Sequence, residues 1–291
     1  MNVIPISGKD SLAAALVQTV HEPQEYRFFF TDTGAELPET YAWLDSVEAK
    51  TGWRIERVGE SLPGLIEKKR ILPSARMRFC TTHGKIKPME RWLGEGEHTV
   101  YFGIRADEQR VGYKPTSKKC VITPRYPLHE HGIGLGAVYA ILEAKDLLPP
   151  SFHWQALEDR VDELWQDGGY LFGDWRQFLS FHERRVLFAG RSRSNCYFCF
   201  YQRRYEFCWL ADTHPDLFAR AVEIEESTGA EGYTWIEDLP LREIAANRDH
   251  YLNRRANEVV KYIAQRAYEQ ATHLEVDNSL AHTSCGLFCG K

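Results

Sequence analysis

The 291-residue chain has no apolar run approaching the roughly 20 residues that a membrane-spanning helix needs, so a helical membrane protein is excluded. No leader pattern stands at its start. The sequence enters a strand-like run within two residues of Met1, the pattern expected of a cytoplasmic protein and not of an exported one. Positive charge is not in excess: 36 Lys and Arg face 41 Asp and Glu, and the net charge of −5 excludes a generally basic coat for nucleic acid while leaving room for a local basic patch. Internal repeats and low-complexity segments are absent, which removes solenoids and linker-like chains. Neither of the two common nucleotide loops, G-x-x-x-x-G-K-[ST] and G-x-G-x-x-G, occurs.

What is present begins at Val3-Ile4-Pro5-Ile6-Ser7-Gly8-Lys9-Asp10-Ser11, followed by the alanine-rich run Leu12 to Val20. A short strand, a small-residue turn and a helix starting near a serine aim unpaired backbone N–H groups at an anion. Gly8 lets the backbone approach a phosphate, Ser7 and Ser11 add hydroxyls, and Lys9 adds a point charge. Asp10 is read in two ways, as a first-turn acid favoured by the helix dipole or as a residue that shapes the loop or faces magnesium.

Tyr26–Phe30, Trp53–Val58, Thr99–Ile104 and Val121–Thr123 read as further strands, with helices from Leu37 onward and over Lys85–Leu93. The alternation predicts an α/β domain with a parallel sheet. Turns marked by Ser7, Asp32 and Gly103 fall at the carboxyl ends of strands, where open α/β sheets bind ligands. From about Ser151 the pattern becomes helical, over Leu157–Trp165, Trp175–Phe188, Arg203–Leu210, Leu217–Glu226 and Asp249–Thr272. Two regions are therefore expected, 1–150 for nucleotide and 151–291 for a helical part.

Seven cysteines in a cytoplasmic chain do not suggest a disulfide framework. Five lie in the last hundred residues, Cys196, Cys199, Cys208, Cys285 and Cys289, so metal or redox chemistry is expected there. Short-spaced thiolates select an iron–sulfur cluster or zinc. Cys120 reads as a small buried hydrophobe.

The Ser-Gly-Lys-Asp-Ser loop resembles the pyrophosphate loop of the adenine-nucleotide α-hydrolases, with Ile6-Ser7-Gly8 standing where Ser-Gly-Gly is usual. Asp32-Thr33-Gly34, Cys80-Thr81-Thr82 with Lys85-Ile86-Lys87-Pro88, Gly103-Ile104-Arg105-Ala106-Asp107-Glu108 and Cys196-Tyr197-Phe198-Cys199 follow in the order of the PAPS (phosphoadenylyl-sulfate) reductase family. The chain resembles that family in its broad sense, which includes the ATP pyrophosphatases of DNA phosphorothioation. The resemblance implies a Rossmann-like, HUP-type nucleotide α-hydrolase domain followed by a cysteine-rich helical region. It implies that Ser7, Gly8, Lys9, Asp10 and Ser11 hold phosphates of ATP or PAPS. Asp32 and Thr33 would lie near the nucleoside, and Lys85, Lys87, Gly103, Arg105 and Arg110 would border the anionic part of the substrate.

In cluster-bearing relatives a Cys-Cys pair and a later C-x-x-C hold a 4Fe-4S cluster. Here Phe79-Cys80 replaces the pair, and the expected ligands are Cys80, Cys196, Cys199 and Cys208, with Cys285 or Cys289 as the rival fourth and zinc as the rival metal. Ser284-Cys285-Gly286-Leu287 resembles the terminal element that carries the reductases' attacking thiol, so Cys285 joins Lys9, Asp10 and Arg105 as a candidate catalytic residue.

Three readings result: an iron–sulfur ATP pyrophosphatase that adenylates a nucleic-acid acceptor for sulfur transfer; a thiol-dependent reductase releasing sulfite; and a non-catalytic nucleotide-sensing subunit. The first expects a cysteine desulfurase as partner and the second a thioredoxin-type donor; homo-oligomerisation is compatible with all three.

Overall fold

The computed structural model describes residues 1–109, 112–113, 117–170, 173–228 and 233–272. They form two compact units. Met1–Pro150 with Arg193–Cys196 make the first, and Ser151–Ser192 with the described residues from Tyr197 onward make the second.

The first unit is built on five strands: β1 (Asn2–Pro5), β2 (Arg27–Thr31), β3 (Ile55–Val58), β4 (Gly96–Tyr101) and β5 (Cys120–Arg125). Between them run α1 (Lys9–His21), α2 (Pro38–Thr51), α3 (Leu62–Lys69), and a continuous stretch of α4 (Phe79–Thr81), a π-helical turn (Thr82–Ile86) and α5 (Lys87–Leu93); α6 (Pro127–Glu130) and α7 (Leu135–Ala144) follow the last strand. All pairings are parallel, in the order β3-β2-β1-β4-β5. The fold is the Rossmann-like parallel α/β architecture expected from the sequence.

Strand periodicity sorts the core. Ile4, Phe28 and Phe30 face one side with Leu12, Leu44, Val138 and Leu142, whereas Val3, Phe29, Val58 and Val100 face the other with Met89 and Leu93. Helices therefore cover both faces, as a parallel sheet requires. Local signals set the ends: Pro38 opens α2, and Gly52, at φ 72°, closes it with its N–H on the Glu48 carbonyl.

The chain steps from β1 outward to β3 and then crosses to β4 on the other flank of β1. That reversal makes the gap beyond the carboxyl ends of β1 and β4 a topological switch point, the place where such sheets bind ligands.

The second unit is helical: α8 (Gln155–Asp167), a 3-10 turn (Trp175–Phe178), α9 (Phe181–Leu187), α10 (Arg204–Thr213), α11 (Pro215–Thr228), α12 (Leu241–Ala246) and α13 (Arg248–Thr272). Trp154, Trp175, Phe188 and Phe207 are fully buried there. The single helix expected over Trp175–Phe188 is broken. Leu179 is extended, and Ser180 caps α9: its hydroxyl accepts from Glu183 N at 3.2 Å while the Glu183 carboxylate accepts from Ser180 N at 2.8 Å. Among the described residues no helix is long and apolar enough to cross a membrane.

Candidate functional site

The sharpest structure at the switch point is the turn from β1 into α1. Ser7 N and Gly8 N both donate to the Ser11 hydroxyl, at 2.8 and 3.1 Å, and that hydroxyl donates to the Gly8 carbonyl at 2.9 Å. Ser11 thus ties the Ser7 and Gly8 amides to its own oxygen and fixes the turn, while the N–H groups of the first turn of α1 are the ones that can face an anion. The 13-residue α1 adds the positive end of its dipole at the same point. Lys9 Nζ meets Asp10 Oδ2 at 3.0 Å.

Behind this turn stands the loop after β4. A Cβ on Gly103 would lie 2.5 Å from Asp10 C and Ser11 N, so only glycine lets the two loops pack. Two residues on, Arg105 is 3% exposed and is held by three carboxylates: Asp10 at 3.0 Å, Asp107 at 2.8 Å and Glu108 at 3.3 Å. Burial opposes its charge, but attraction to Asp10 and the other acids prevails and holds the guanidinium above its ordinary value. Asp107 accepts in turn from Leu135 N, at the start of α7, at 3.1 Å. Burial pushes its carboxyl up; the Leu135 amide and Arg105 outweigh this and keep it below the usual carboxylate range.

At the adjoining end of β2, Asp32 Oδ1 accepts from Gly34 N and from the Tyr41 hydroxyl, both at 2.8 Å. Burial and then Asp32 push the Tyr41 phenol well above its ordinary value, so it serves as a donor. Gly59 is pressed against the Asp32 carbonyl and leaves no room for a side chain.

Residues 1–118 match the family model described as the phosphoadenosine phosphosulfate reductase domain. This segment is similar to that domain family. The crystal structure of the phosphoadenylyl-sulfate (PAPS) reductase from Candida auris, as its phosphate complex, is similar at 17% identity over 60% of this chain and 81% of that one, with a TM-score of 0.36. No curated protein matches.

Within the first unit the expected residues fall into two groups. Ser7, Gly8, Lys9, Asp10, Ser11, Gly103 and Arg105 come together around one turn, with Asp32 at the next strand end. Lys85 and Lys87 do not join them directly: they sit on the π turn and α5, which cover the Val3 and Phe29 face, whereas the turn leads into α1 on the Ile4 face. Thr33 is fully buried, and its hydroxyl faces Glu36 Oε1 at 3.3 Å and Cys196 Sγ at 3.2 Å. Arg110 lies outside the described residues.

Asp10 places one carboxylate oxygen on Lys9 and the other on Arg105, an arrangement that fits loop shaping. The cysteine quartet expected from the sequence is divided between the two units, Cys80 and Cys196 in the first and Cys199 and Cys208 in the second. Among the described residues no group of three or more His, Cys, Asp or Glu side chains could hold a metal ion. Cys208 is fully buried on α10, its thiol donates to the Ile244 carbonyl at 3.8 Å, and burial pushes it up to about 12. Cys196 is engaged with Thr33 and Glu36, Cys80 and Cys199 are half-buried, and Cys120 is buried as expected. Cys285 and Cys289 lie outside the described residues.

Three participants escape sequence reasoning. Asp107 and Glu108 were visible in the Gly103–Glu108 motif but carried no role, and the partner of Thr33, Glu36, has no local signature. Only the fold brings them in.

Proposed function

We propose that the chain is a nucleotide-activating enzyme of sulfur chemistry, an ATP pyrophosphatase that adenylates an acceptor for sulfur transfer. The observation that carries this is the turn at Ser7–Ser11, which the Ser11 hydroxyl fixes at the head of α1 at the switch point of the sheet. Bound there, a pyrophosphate would meet the N–H groups of the first turn of α1 and the Lys9 ammonium, the charge that a displacement at phosphorus needs on its leaving group. An acceptor oxygen attacks the α-phosphorus, the bond to pyrophosphate breaks, and a sulfur nucleophile then displaces AMP from the adenylated acceptor. Arg105 takes a supporting part: buried and saturated with carboxylates, it fixes Asp10 and through it the turn. Nucleic acid is the acceptor favoured by the sequence resemblance.

A second reading is supported by the domain family itself: reduction of PAPS, in which a cysteine thiolate attacks the sulfate sulfur, the adenosine bisphosphate leaves, and a dithiol partner releases sulfite. Cys285 would be that nucleophile. The altered residues around it, Ser284 and Phe288, favour the first reading.

The test is anaerobic incubation with ATP and, separately, with PAPS and reduced thioredoxin, assaying pyrophosphate and sulfite. Pyrophosphate supports activation; sulfite alone overturns it in favour of reduction. In whichever assay responds, Lys9→Ala is expected to lower turnover by roughly 100-fold or more, and unchanged turnover would remove the turn from the chemistry.

A further inference from the structure

Charge in this protein is unevenly spread. Residues 67–91 hold eight Lys or Arg against only Glu67 and Glu90, a net +6, while the remainder of the chain carries −11. Structure keeps much of this charge unspent. Lys68, Lys69, Arg70 and Arg76 are exposed, as is Lys87, and among the described residues none of the five forms an ion pair. Lys69 lies over the Phe79 ring at 5.5 Å, and Arg91 is paired, with Glu60 at 3.1 Å.

The cations are also gathered. Lys68 on α3 and His83, Lys87 and Arg91 on the π turn and α5 line one groove of about 820 Å³ together with Glu60, Glu90, Glu95 and Lys119. Glu60 is taken up by Arg91, Glu95 by Lys119 at 2.8 Å, and Glu90 accepts from the Tyr113 hydroxyl, so among the described residues Lys68 and Lys87 are the lysines of the lining without an acidic partner. Burial and then Lys87 and Lys69 push His83 below its ordinary value. Arg70 and Arg76 carry further exposed charge on the segment joining α3 to α4. The only large apolar side chain exposed in the stretch is Met77.

We propose that the groove between α3 and α5, with the adjoining Arg70 and Arg76, is a docking surface for the phosphate backbone of a nucleic acid. Unpaired lysines and arginines neutralise phosphates without reading bases, and binding gains by releasing the counterions of a polyanion. The exposed, unpaired Lys68 and Lys87 and the adjoining Lys69, Arg70 and Arg76 offer point charges to successive phosphates, whereas a bilayer would find no exposed hydrophobic anchor larger than Met77 in the stretch. The surface would present the acceptor that the preferred reading of the enzyme calls for, and its biological purpose rests on that reading; binding is measured apart from turnover.

The experiment is fluorescence anisotropy of the full chain with a fluorescein-labelled oligothymidylate of about 20 nucleotides and with a duplex of the same length, from about 50 to 300 mM salt. Wild-type protein is expected to bind at low salt, with log K falling linearly against log salt. A Lys68→Gln, Lys69→Gln, Arg76→Gln triple variant is expected to bind roughly tenfold or more weakly and to lose about 2 from the slope for single strand. The corresponding Glu triple is expected to abolish binding. Both variants are expected to keep the wild-type melting curve and affinity for a fluorescent ATP analogue. Absence of oligonucleotide binding, equal binding by the Glu triple, or a preference for phosphatidylserine vesicles over oligonucleotide would each overturn the surface. Pyrophosphate release without oligonucleotide binding would remove the surface and keep the enzyme; binding without any turnover of ATP would do the reverse.

Discussion

Arg105 and Lys68 belong to the same unit and carry the same charge, yet they have opposite lives. Arg105 is 3% exposed and meets three carboxylates; Lys68 is exposed and meets none. The difference teaches how this domain allots its cations. At the switch point, charge is neutralised inside the protein and acts on geometry, fixing Asp10 so that the Ser7–Ser11 turn has one shape. On the α3 and α5 flank, charge is left to solvent and is available to something brought from outside. A sequence motif does not separate these uses, because a conserved-looking arginine beside a phosphate loop reads as a ligand whether or not its fork is already filled.

Breaking the pairing side of this contrast should produce the largest change in stability. Arg105→Met leaves Asp10, Asp107 and Glu108 crowded without a counterion, and a loss of about 3 kcal/mol in chemical denaturation is expected, as for a buried pair deprived of one partner. Lys68→Gln is expected to stay within about 0.5 kcal/mol of wild type. If the two variants unfolded at the same denaturant concentration, Arg105 would be no clamp and would return to the list of ligands. Arg105→Lys sharpens the point: it keeps the charge, loses the fork that spans three acids, and is expected to fall between.

The next effect is steric and separates two glycines of the same site. Gly103→Ala drives a methyl to 2.5 Å from the Asp10 and Ser11 backbone, whereas a Cβ on Gly8 meets nothing within 4 Å. Gly103→Ala is expected to cost about 1–3 kcal/mol and to shift the turn. Gly8→Ala is expected to leave stability nearly unchanged, so any loss of nucleotide affinity it causes reports close approach of the ligand to the backbone. Equal thermal stability of the two variants would mean that the β4 loop does not brace the turn.

Much of this was legible in the residues. Alternating strands and helices gave the parallel sheet, and the Ser7 turn, Asp32 and Gly103 marked its binding edge because small and polar residues must stand where strands feed helices. What stayed hidden depended on the third dimension. The spacing of Cys196, Cys199 and Cys208 says nothing of burial, whereas helix α10 turns Cys208 into the core, where its thiol meets the Ile244 carbonyl. Thr33 was read beside the nucleoside, yet its hydroxyl is tied to Glu36 and Cys196, the latter 163 positions away, a pairing that no local pattern encodes. The break at Ser180 was the opposite case: Ser180 and Glu183 spell a capping box, and the apolar run through Trp175–Phe188 obscured it.

The smallest expected effect tests the outer end of the clamp. Asp107 is held below the usual carboxylate range against the pull of burial by the Leu135 amide and Arg105. A carboxyl depressed on folding stabilises the protein fully above its unfolded value, about 3.9, and loses that contribution as pH falls through the lower folded value. Asp107→Asn retains an oxygen for the Leu135 N–H but not the charge beside Arg105. Its stability is therefore expected to match wild type more closely once pH has fallen below the lowered folded value than at pH 6, with the gap opening as pH rises from there toward the unfolded value of about 3.9. A gap independent of pH would mean that the Asp107 carboxylate contributes packing and a hydrogen bond alone, and that Asp10 and Glu108 suffice to hold Arg105.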